Sequence, residues 1–96
     1  MATYIILSTM NIETLDEPSD FTKRASTVKE KIKEECPNVT WKQSYVLMGS
    51  YDILDILESN NQEEVEKAAM IIRIYGHSNT ETFAASKWDD FLNILK

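Results

Sequence analysis

The segment of residues 39–58 constrains the fold more than any other part of the chain. Two runs of alternating side chains flank the pair Gly49-Ser50, and each run is long enough for a β-strand. Glycine accepts the positive φ angle that a short hairpin turn requires. The sequence therefore predicts an antiparallel hairpin, with strands at residues 39–48 and 51–58, in the middle of the chain.

Further strands and helices are predicted on both sides of this hairpin. β-Branched and aromatic residues predict strands at 3–10 and 79–86. Apolar residues at helical spacing predict one helix that ends before Pro37, a second between Asn61 and Gly76, and a short one at 87–96. The residues predicted to face inward from the three helices are Phe21, Ala25, Val28 and Ile32; Val65, Ala68, Ala69 and Ile72; and Trp88, Phe91, Leu92 and Leu95.

This order of elements, βαββαβ plus a helix, predicts a single α+β domain over residues 1–96. Right-handed crossovers then give a ferredoxin-like antiparallel sheet with both long helices on one face. Apolarity assigns to the helix side Ile5, Leu7, Val46, Met48, Leu54 and Ile56. The opposite face is then predicted to carry Tyr4, Ile6, Ser8, Trp41, Gln43, Tyr45, Tyr51, Ile53, Asp55 and Leu57.

The predicted second face is too apolar to remain in contact with water. A second copy of the chain is the simplest cover, because a two-fold pair buries both faces at once. The sequence therefore predicts a homodimer or a higher homo-oligomer.

Charge and cysteine content exclude several classes of partner. The net charge of −6 and pI near 4.7 argue against nucleic acids and anionic membranes, which repel an acidic surface. No apolar run approaches the ~20 residues needed to cross a bilayer. The lone cysteine, Cys36, excludes an intramolecular disulfide, and no signal peptide is recognisable. We therefore expect a cytoplasmic protein with an inert thiol.

Six side chains assigned to the second face predict a small-molecule site between two paired sheets. Aromatic walls with a few polar groups are the usual composition of such sites. Asp55 is central, because a carboxylate among apolar neighbours needs hydrogen-bond donors, a proton or a solvated cavity. The predicted ligand-binding residues are Tyr4, Ser8, Trp41, Gln43, Tyr45 and Asp55.

Three residues are candidates for acid–base catalysis: Asp55, His77 and Glu81. His77 is the only histidine, and with Glu81 it supplies too few ligands for a metal site. The chain also has no glycine-rich phosphate loop and no paired cysteines. We therefore predict neither a metal nor another cofactor.

The connection inside the hairpin resembles a known family motif. Gly49-Ser50-Tyr51-Asp52, the opening TYIILS and the Thr80-Glu81-Thr82 element are similar to the GYD domain family, named for a Gly-x-Tyr-Asp element. The similarity spans nearly the whole chain. It implies that Gly49 permits the turn, that Tyr51 begins the central strand, and that Asp52 accepts hydrogen bonds from turn amides.

The resemblance also implies membership of the dimeric α/β-barrel superfamily. That superfamily includes ligand-sensing domains of transcription regulators, haem-handling enzymes, monooxygenases and isomerases, so it does not select one function. Three hypotheses stay open. The chain is a homo-oligomeric domain that binds a small apolar or aromatic molecule, a structural or regulatory oligomerisation domain, or a cofactor-free enzyme of the monooxygenase or isomerase kind.

Overall fold

The computed structural model describes residues 1–96 and contains every predicted element. A short 3₁₀ helix, Ile12–Thr14, is the one element that was not predicted. No helix is both long enough and apolar enough to cross a membrane. The strands and α-helices are β1 (Ala2–Met10), α1 (Pro18–Glu35), β2 (Val39–Val46), β3 (Ile53–Ser59), α2 (Gln62–Tyr75), β4 (Ser78–Ala85) and α3 (Trp88–Ile94).

The four strands form one antiparallel sheet in the order β2-β3-β1-β4, with β2 and β4 at its edges. This topology confirms the predicted ferredoxin-like α+β fold. The hairpin connection is longer than predicted, because β2 ends at Val46 and β3 begins at Ile53. Gly49 consequently does not adopt a positive φ, since only the tightest turns require one.

The two long helices begin with side chains that accept hydrogen bonds from free backbone N–H groups. The Asp20 carboxylate accepts from the amides of Asp16 and Glu17 at 3.1 and 3.0 Å. The Asn61 side chain accepts from the amide of Glu64 at 3.2 Å, as the capping-box pattern predicts. These caps define where each helix begins.

The predicted assignment of the two sheet faces is wrong for the two central strands, β1 and β3. Ile6, Ser8, Asp55, Leu57 and Ser59 are buried, and Ile6 and Leu57 belong to the core beneath the helices. The opposite face, called here the open face, carries the side chains of β1 and β3 that were predicted to meet the helices, whereas Val46 on β2 does lie on the helix side. Apolarity was a poor guide because both faces are apolar at their centres, and the helix side also holds two buried serines and a buried aspartate. The central residues of the open face are Ile5, Leu7, Leu54 and Ile56, with Tyr45 and Phe83 on the edge strands.

The two long helices contribute very differently to the core. All four residues predicted to face inward from α2 are buried, together with Ile71. On α1 only Ile32 is buried, while Phe21 and Val28 are half-buried and Ala25 is exposed. Cys36, just after α1, lies in the core, and burial raises the pKa of its thiol, which keeps it protonated.

The prediction that α3 packs inward is wrong for the single chain. Trp88, Phe91, Leu92 and Leu95 are 70%, 44%, 40% and 66% exposed. The helix side of the sheet is already occupied by α1 and α2, so that side offers α3 no apolar surface to cover. The apolar stripe of α3 and the open face therefore remain in contact with solvent together.

Candidate functional site

A cavity of about 330 Å³ lies between α1 and the helix side of the sheet. It exists because the first three turns of α1 do not pack closely onto the strands. Its walls are mostly apolar, and it opens along the edge strand β2, where Tyr45 and Val46 are exposed. The other residues that line the cavity are Ser8, Met10, Phe21, Arg24, Ala25, Val28, Lys29, Trp41, Ser44, Ile53, Asp55, Ile72, Gly76 and Ser78.

The polar centre of the cavity is a chain of three side chains that ends on Asp55. The Trp41 indole N–H donates to Ser44 Oγ at 2.7 Å, and the Ser44 hydroxyl donates to Asp55 Oδ1 at 2.6 Å. Asp55 is only 5% exposed and forms no ion pair. The carboxylate is therefore held by hydrogen bonds rather than by an opposite charge.

A β-bulge in β2 produces this arrangement. Trp41 pairs with Leu57 and Gln43 with Ile56, so Lys42 is an extra residue in the ladder. The bulge shifts the alternation of side chains, which places Ser44 opposite Asp55 on the helix side and Gln43 on the open face. Regular alternation along residues 39–48 would have given the opposite result.

Burial raises the pKa of the Asp55 carboxyl above its ordinary value. Hydrogen bonding from Ser44, supported by the Trp41 indole, opposes this shift but does not cancel it. A carboxyl in such an environment accepts a proton more readily than one in water. It can therefore act as a hydrogen-bond acceptor or as a base towards a molecule in the cavity.

A second polar group, the hydroxyl of Ser8, lines the cavity without a partner. Ser8 is 1% exposed, and its Oγ forms no hydrogen bond within the chain. Buried hydroxyl groups nearly always have a partner. Ser8 lies on β1, next to the strand that carries Asp55, and both side chains are on the helix side of the sheet.

Two basic side chains, Arg24 and Lys29, lie on α1 across the cavity from Asp55. The Arg24 guanidinium donates to the Thr14 hydroxyl and carbonyl at 2.6 and 3.2 Å, which holds it towards the 3₁₀ helix. Lys29 is exposed and forms no ion pair. The cavity thus has an acidic group on the sheet and basic groups on its outer wall.

Four of the six predicted ligand-binding residues lie at this cavity. Ser8, Trp41 and Asp55 are inside it, and Tyr45 borders its mouth. Tyr4 is also on the helix side but nearer the other end of the sheet, and Gln43 is on the open face, so neither lines the cavity. The sequence predicted all six residues on the face away from the helices. Gln43 and Tyr45 do lie there, whereas the other four lie on the helix side.

The three candidates for acid–base catalysis do not form one group. Only Asp55 lies in the cavity. His77 is exposed directly after α2, with φ of 48°, and its carbonyl accepts from the Asn11 amide at 3.0 Å. Glu81 lies on the open face and accepts a hydrogen bond from the Tyr51 hydroxyl. No group of three His, Cys, Asp or Glu side chains is placed to hold a metal ion.

The Gly-x-Tyr-Asp element fastens the hairpin connection to the rest of the sheet. Asp52 accepts from the Met10 amide at 2.8 Å, rather than from a turn amide as predicted, and its own amide donates to the Ser8 carbonyl. The bond to Glu81 raises the pKa of Tyr51. Tyr51 and Asp52 thus tie the connection to β4 and β1, and they also hold Ser8 in place at the cavity.

Sequence reasoning missed Ser44, Arg24 and Lys29 as cavity residues. Ser44 was hidden by the bulge, which no strand periodicity reveals. The two basic residues belong to a mixed charged helix segment of a kind that usually faces solvent. The one available signal was Ala25, a small residue on the inner stripe of α1 that leaves room beside the sheet.

The sequence matches the GYD domain over residues 4–95. The chain belongs to the GYD domain family. This confirms the resemblance carried by the Gly-x-Tyr-Asp element. No curated protein sequence matches this GYD domain at a significant level.

Solved structures share the fold of this GYD domain at low sequence identity. A feast or famine regulatory protein from Mycobacterium tuberculosis, complexed with L-methionine, is 14% identical with a TM-score of 0.62, covering 91% of this chain and 51% of that one. A mutant chlorite dismutase from Candidatus Nitrospira defluvii, in complex with cyanide, is 14% identical with a TM-score of 0.64, covering 90% and 40%. The GYD domain therefore spans about half of these chains or less.

A third structure matches over nearly its full length. The Thermus thermophilus protein TTHA0845 is 23% identical with a TM-score of 0.54, covering 91% of this chain and 95% of that one. At these identities the likeness establishes the ferredoxin-like fold and nothing more specific.

Proposed function

We propose that this GYD domain binds a small, mainly apolar molecule in the cavity under α1, and that it does so as a homo-oligomer. The observation that carries the proposal is an apolar cavity that contains one buried carboxylate and one buried hydroxyl without a partner. Convergent polar groups in an apolar pocket are typical of ligand sites. The proposed site is beneath a helix, not between two sheets as first predicted.

Two of the structures that share the fold are themselves ligand complexes, one with L-methionine and one with cyanide. This supports the proposal only in a general way, because it indicates that proteins containing this fold bind small molecules of very different kinds. The residues of the cavity in this chain carry the specific argument.

A ligand screen by protein-observed NMR tests the binding proposal. The Trp41 indole N–H is a direct reporter, since it donates into the chain that ends on Asp55, and the Trp88 indole, on α3, is an internal control. We expect ligands that shift the Trp41 signal and leave Trp88 unchanged. Asp55→Asn should weaken their binding, whereas the exposed Asp16→Asn should not. If every ligand shifts Trp88 alone, the cavity is not the site.

The homo-oligomer is supported by the two apolar surfaces that one chain leaves uncovered. The open face has Ile5, Leu7, Leu54 and Ile56 at its centre, and α3, which follows β4 in the chain, exposes its apolar stripe. Only 13 of 96 residues are buried, so the single chain has a small core for its length. A second copy would cover both surfaces and enlarge the apolar interior.

Native mass spectrometry and light scattering test this second part. We expect a dimer or larger assembly that Leu54→Glu converts to monomers, because a charge at the centre of a buried sheet face is costly. Met70→Glu is the matched control, since Met70 is 48% exposed on the outer side of α2. A wild-type monomer at micromolar concentration would contradict the proposal.

One observation favours a second function, proton transfer catalysed by Asp55 without a cofactor. Burial raises the pKa of Asp55, which is the change that a carboxylate base needs in order to work near neutral pH. NMR titration of the Asp55 carboxyl carbon tests this alternative. A pKa at or below the ordinary value of about 3.9 would remove its basis.

A further inference from the structure

We infer that the ligand of this cavity carries a protonated amine on an apolar body, with the amine bound between Asp55 and Ser8. This inference rests on the proposed binding function and specifies the chemical class of the ligand. It follows from the charge that the chain leaves uncompensated, from the hydrogen-bonding capacity of the two residues, and from the aromatic walls.

The charge of Asp55 has no cationic partner within the chain. Its contacts are the Ser44 hydroxyl and, through it, the Trp41 indole, both of which are neutral. Carboxylates that are almost fully buried are normally paired with a cation, since transfer of an isolated charge out of water is costly. A cationic ligand would supply the missing charge.

The hydrogen-bonding capacity of the site also suits an ammonium group. Ser44 donates to Oδ1 of Asp55, and the Ser8 hydroxyl has no partner in the chain. An ammonium group has three donors and no acceptor, which matches an ionised carboxylate and a hydroxyl lone pair. Phe21 and Trp41 line the same cavity, and aromatic faces attract cations.

Other charged or titratable groups also border the cavity. Arg24 and Lys29 face it from α1 and Tyr45 borders its mouth, whereas the residues contributed by α2 and β4 carry no charge. Arg24 is held by Thr14, and Lys29 is exposed to solvent, so both lie at the outer side. They would attract an acidic ligand instead, which makes an acid the competing result.

Three probes with one phenyl ring and different end groups distinguish these possibilities: 4-phenylbutylamine, 4-phenylbutanol and 4-phenylbutyrate. Binding at pH 7 would be followed by the Trp41 indole signal. We expect the amine to bind at least about tenfold more tightly than the alcohol, which is the usual size of one hydrogen bond to a charged group. The acid should bind more weakly than the alcohol.

Variants assign the preference to the proposed residues. Asp55→Asn keeps the shape of the side chain and should reduce the preference for the amine to less than about threefold, while Asp16→Asn should leave it unchanged. Ser8→Ala removes only the hydroxyl and should lower the affinity for the amine by about threefold or more. The affinity for the amine should also fall as the pH is lowered through the pKa of Asp55, and that for the alcohol should not.

The outcomes separate this inference from the function on which it rests. Tighter binding of the alcohol or the acid would overturn the amine inference and leave small-molecule binding intact. A preference for the amine that survives Asp55→Asn would also overturn it. If none of the three probes shifts the Trp41 signal, the cavity does not bind apolar molecules of this size, and both proposals fail.

Discussion

Helices α1 and α2 lie on the same face of the sheet, yet they serve different purposes. The shorter helix, α2, buries five residues, including Ala68 and Ala69, whose small side chains let it approach the strands closely. The longer helix, α1, buries only Ile32, near its C-terminal end. The difference indicates that α2 supplies most of the helical core, whereas α1 forms the outer wall of a cavity.

The largest expected effect comes from truncating an apolar side chain on each helix. Ile71→Ala should lower the free energy of unfolding by about 2–4 kcal/mol, because Ile71 is 5% exposed in the core. Val28→Ala should lower the free energy of unfolding by less than about 1.5 kcal/mol, because Val28 already borders a cavity. Urea denaturation measures both values, and Ile74→Ala, at a 59% exposed position, is the control. Equal losses for the two helices would contradict the comparison.

Enlarging an alanine on each helix should change the stability of the protein by very different amounts. Ala68→Leu should destabilise the protein by about 1–3 kcal/mol, since Ala68 is fully buried and does not line the cavity. Ala25→Leu should change the stability by less than about 0.5 kcal/mol, because Ala25 faces the cavity. The larger side chain in this variant should also weaken ligand binding, because it would occupy the site. A strongly destabilised Ala25→Leu protein would mean that α1 packs as tightly as α2.

The pH dependence of stability tests the buried acid beneath α1. The pKa of Asp55 is raised in the folded state, so the folded protein holds this proton more tightly than the unfolded chain does. This contribution to stability is fully present below the unfolded value of about 3.9 and is lost as the pH rises through the folded pKa.

Asp55→Asn removes that contribution, since an amide does not titrate. We therefore expect the variant to gain stability relative to the wild type as the pH rises from below about 4 to neutrality. Urea midpoints measured across this range, with Asp16→Asn as the control, provide the test. A difference that does not change with pH would show that Asp55 titrates as it does in water.

The smallest expected effect lies at the end of α2. His77 adopts a φ of 48°, a conformation that glycine accepts more readily than any residue with a Cβ. His77→Gly should therefore raise the stability by about 0.5 kcal/mol, whereas His77→Ala, which keeps the Cβ, should not. A loss of stability in the glycine variant would indicate that the imidazole makes a contribution of its own.

The sequence predicted the order of elements and the inner stripe of α2 because both depend on local periodicity. Ala68 and Ile72 recur at helical spacing, and α2 does pack against the sheet through that spacing. The family resemblance likewise depended on a short local string. These parts of the structure needed no knowledge of how distant segments meet.

Local periodicity could not predict which face of the sheet meets the helices, or where α3 lies. Ile5 and Ile6 are equally apolar, so neither indicates which face meets the helices. The site was recognised only in part for a related reason: Asp55, Ser8 and Trp41 were selected by chemistry, but Ser44 joins them only through the bulge at Lys42. A one-residue irregularity leaves no trace in composition or spacing.

That bulge has a consequence for the sheet as an assembly of strands. Because β2 is an edge strand, its outer N–H and C=O groups are a template on which another chain can add a strand and begin to aggregate. An extra residue bends the strand and interrupts the regular spacing of those groups. The irregularity that brings Ser44 to the buried acid therefore also makes this border of the molecule a poor surface for uncontrolled growth.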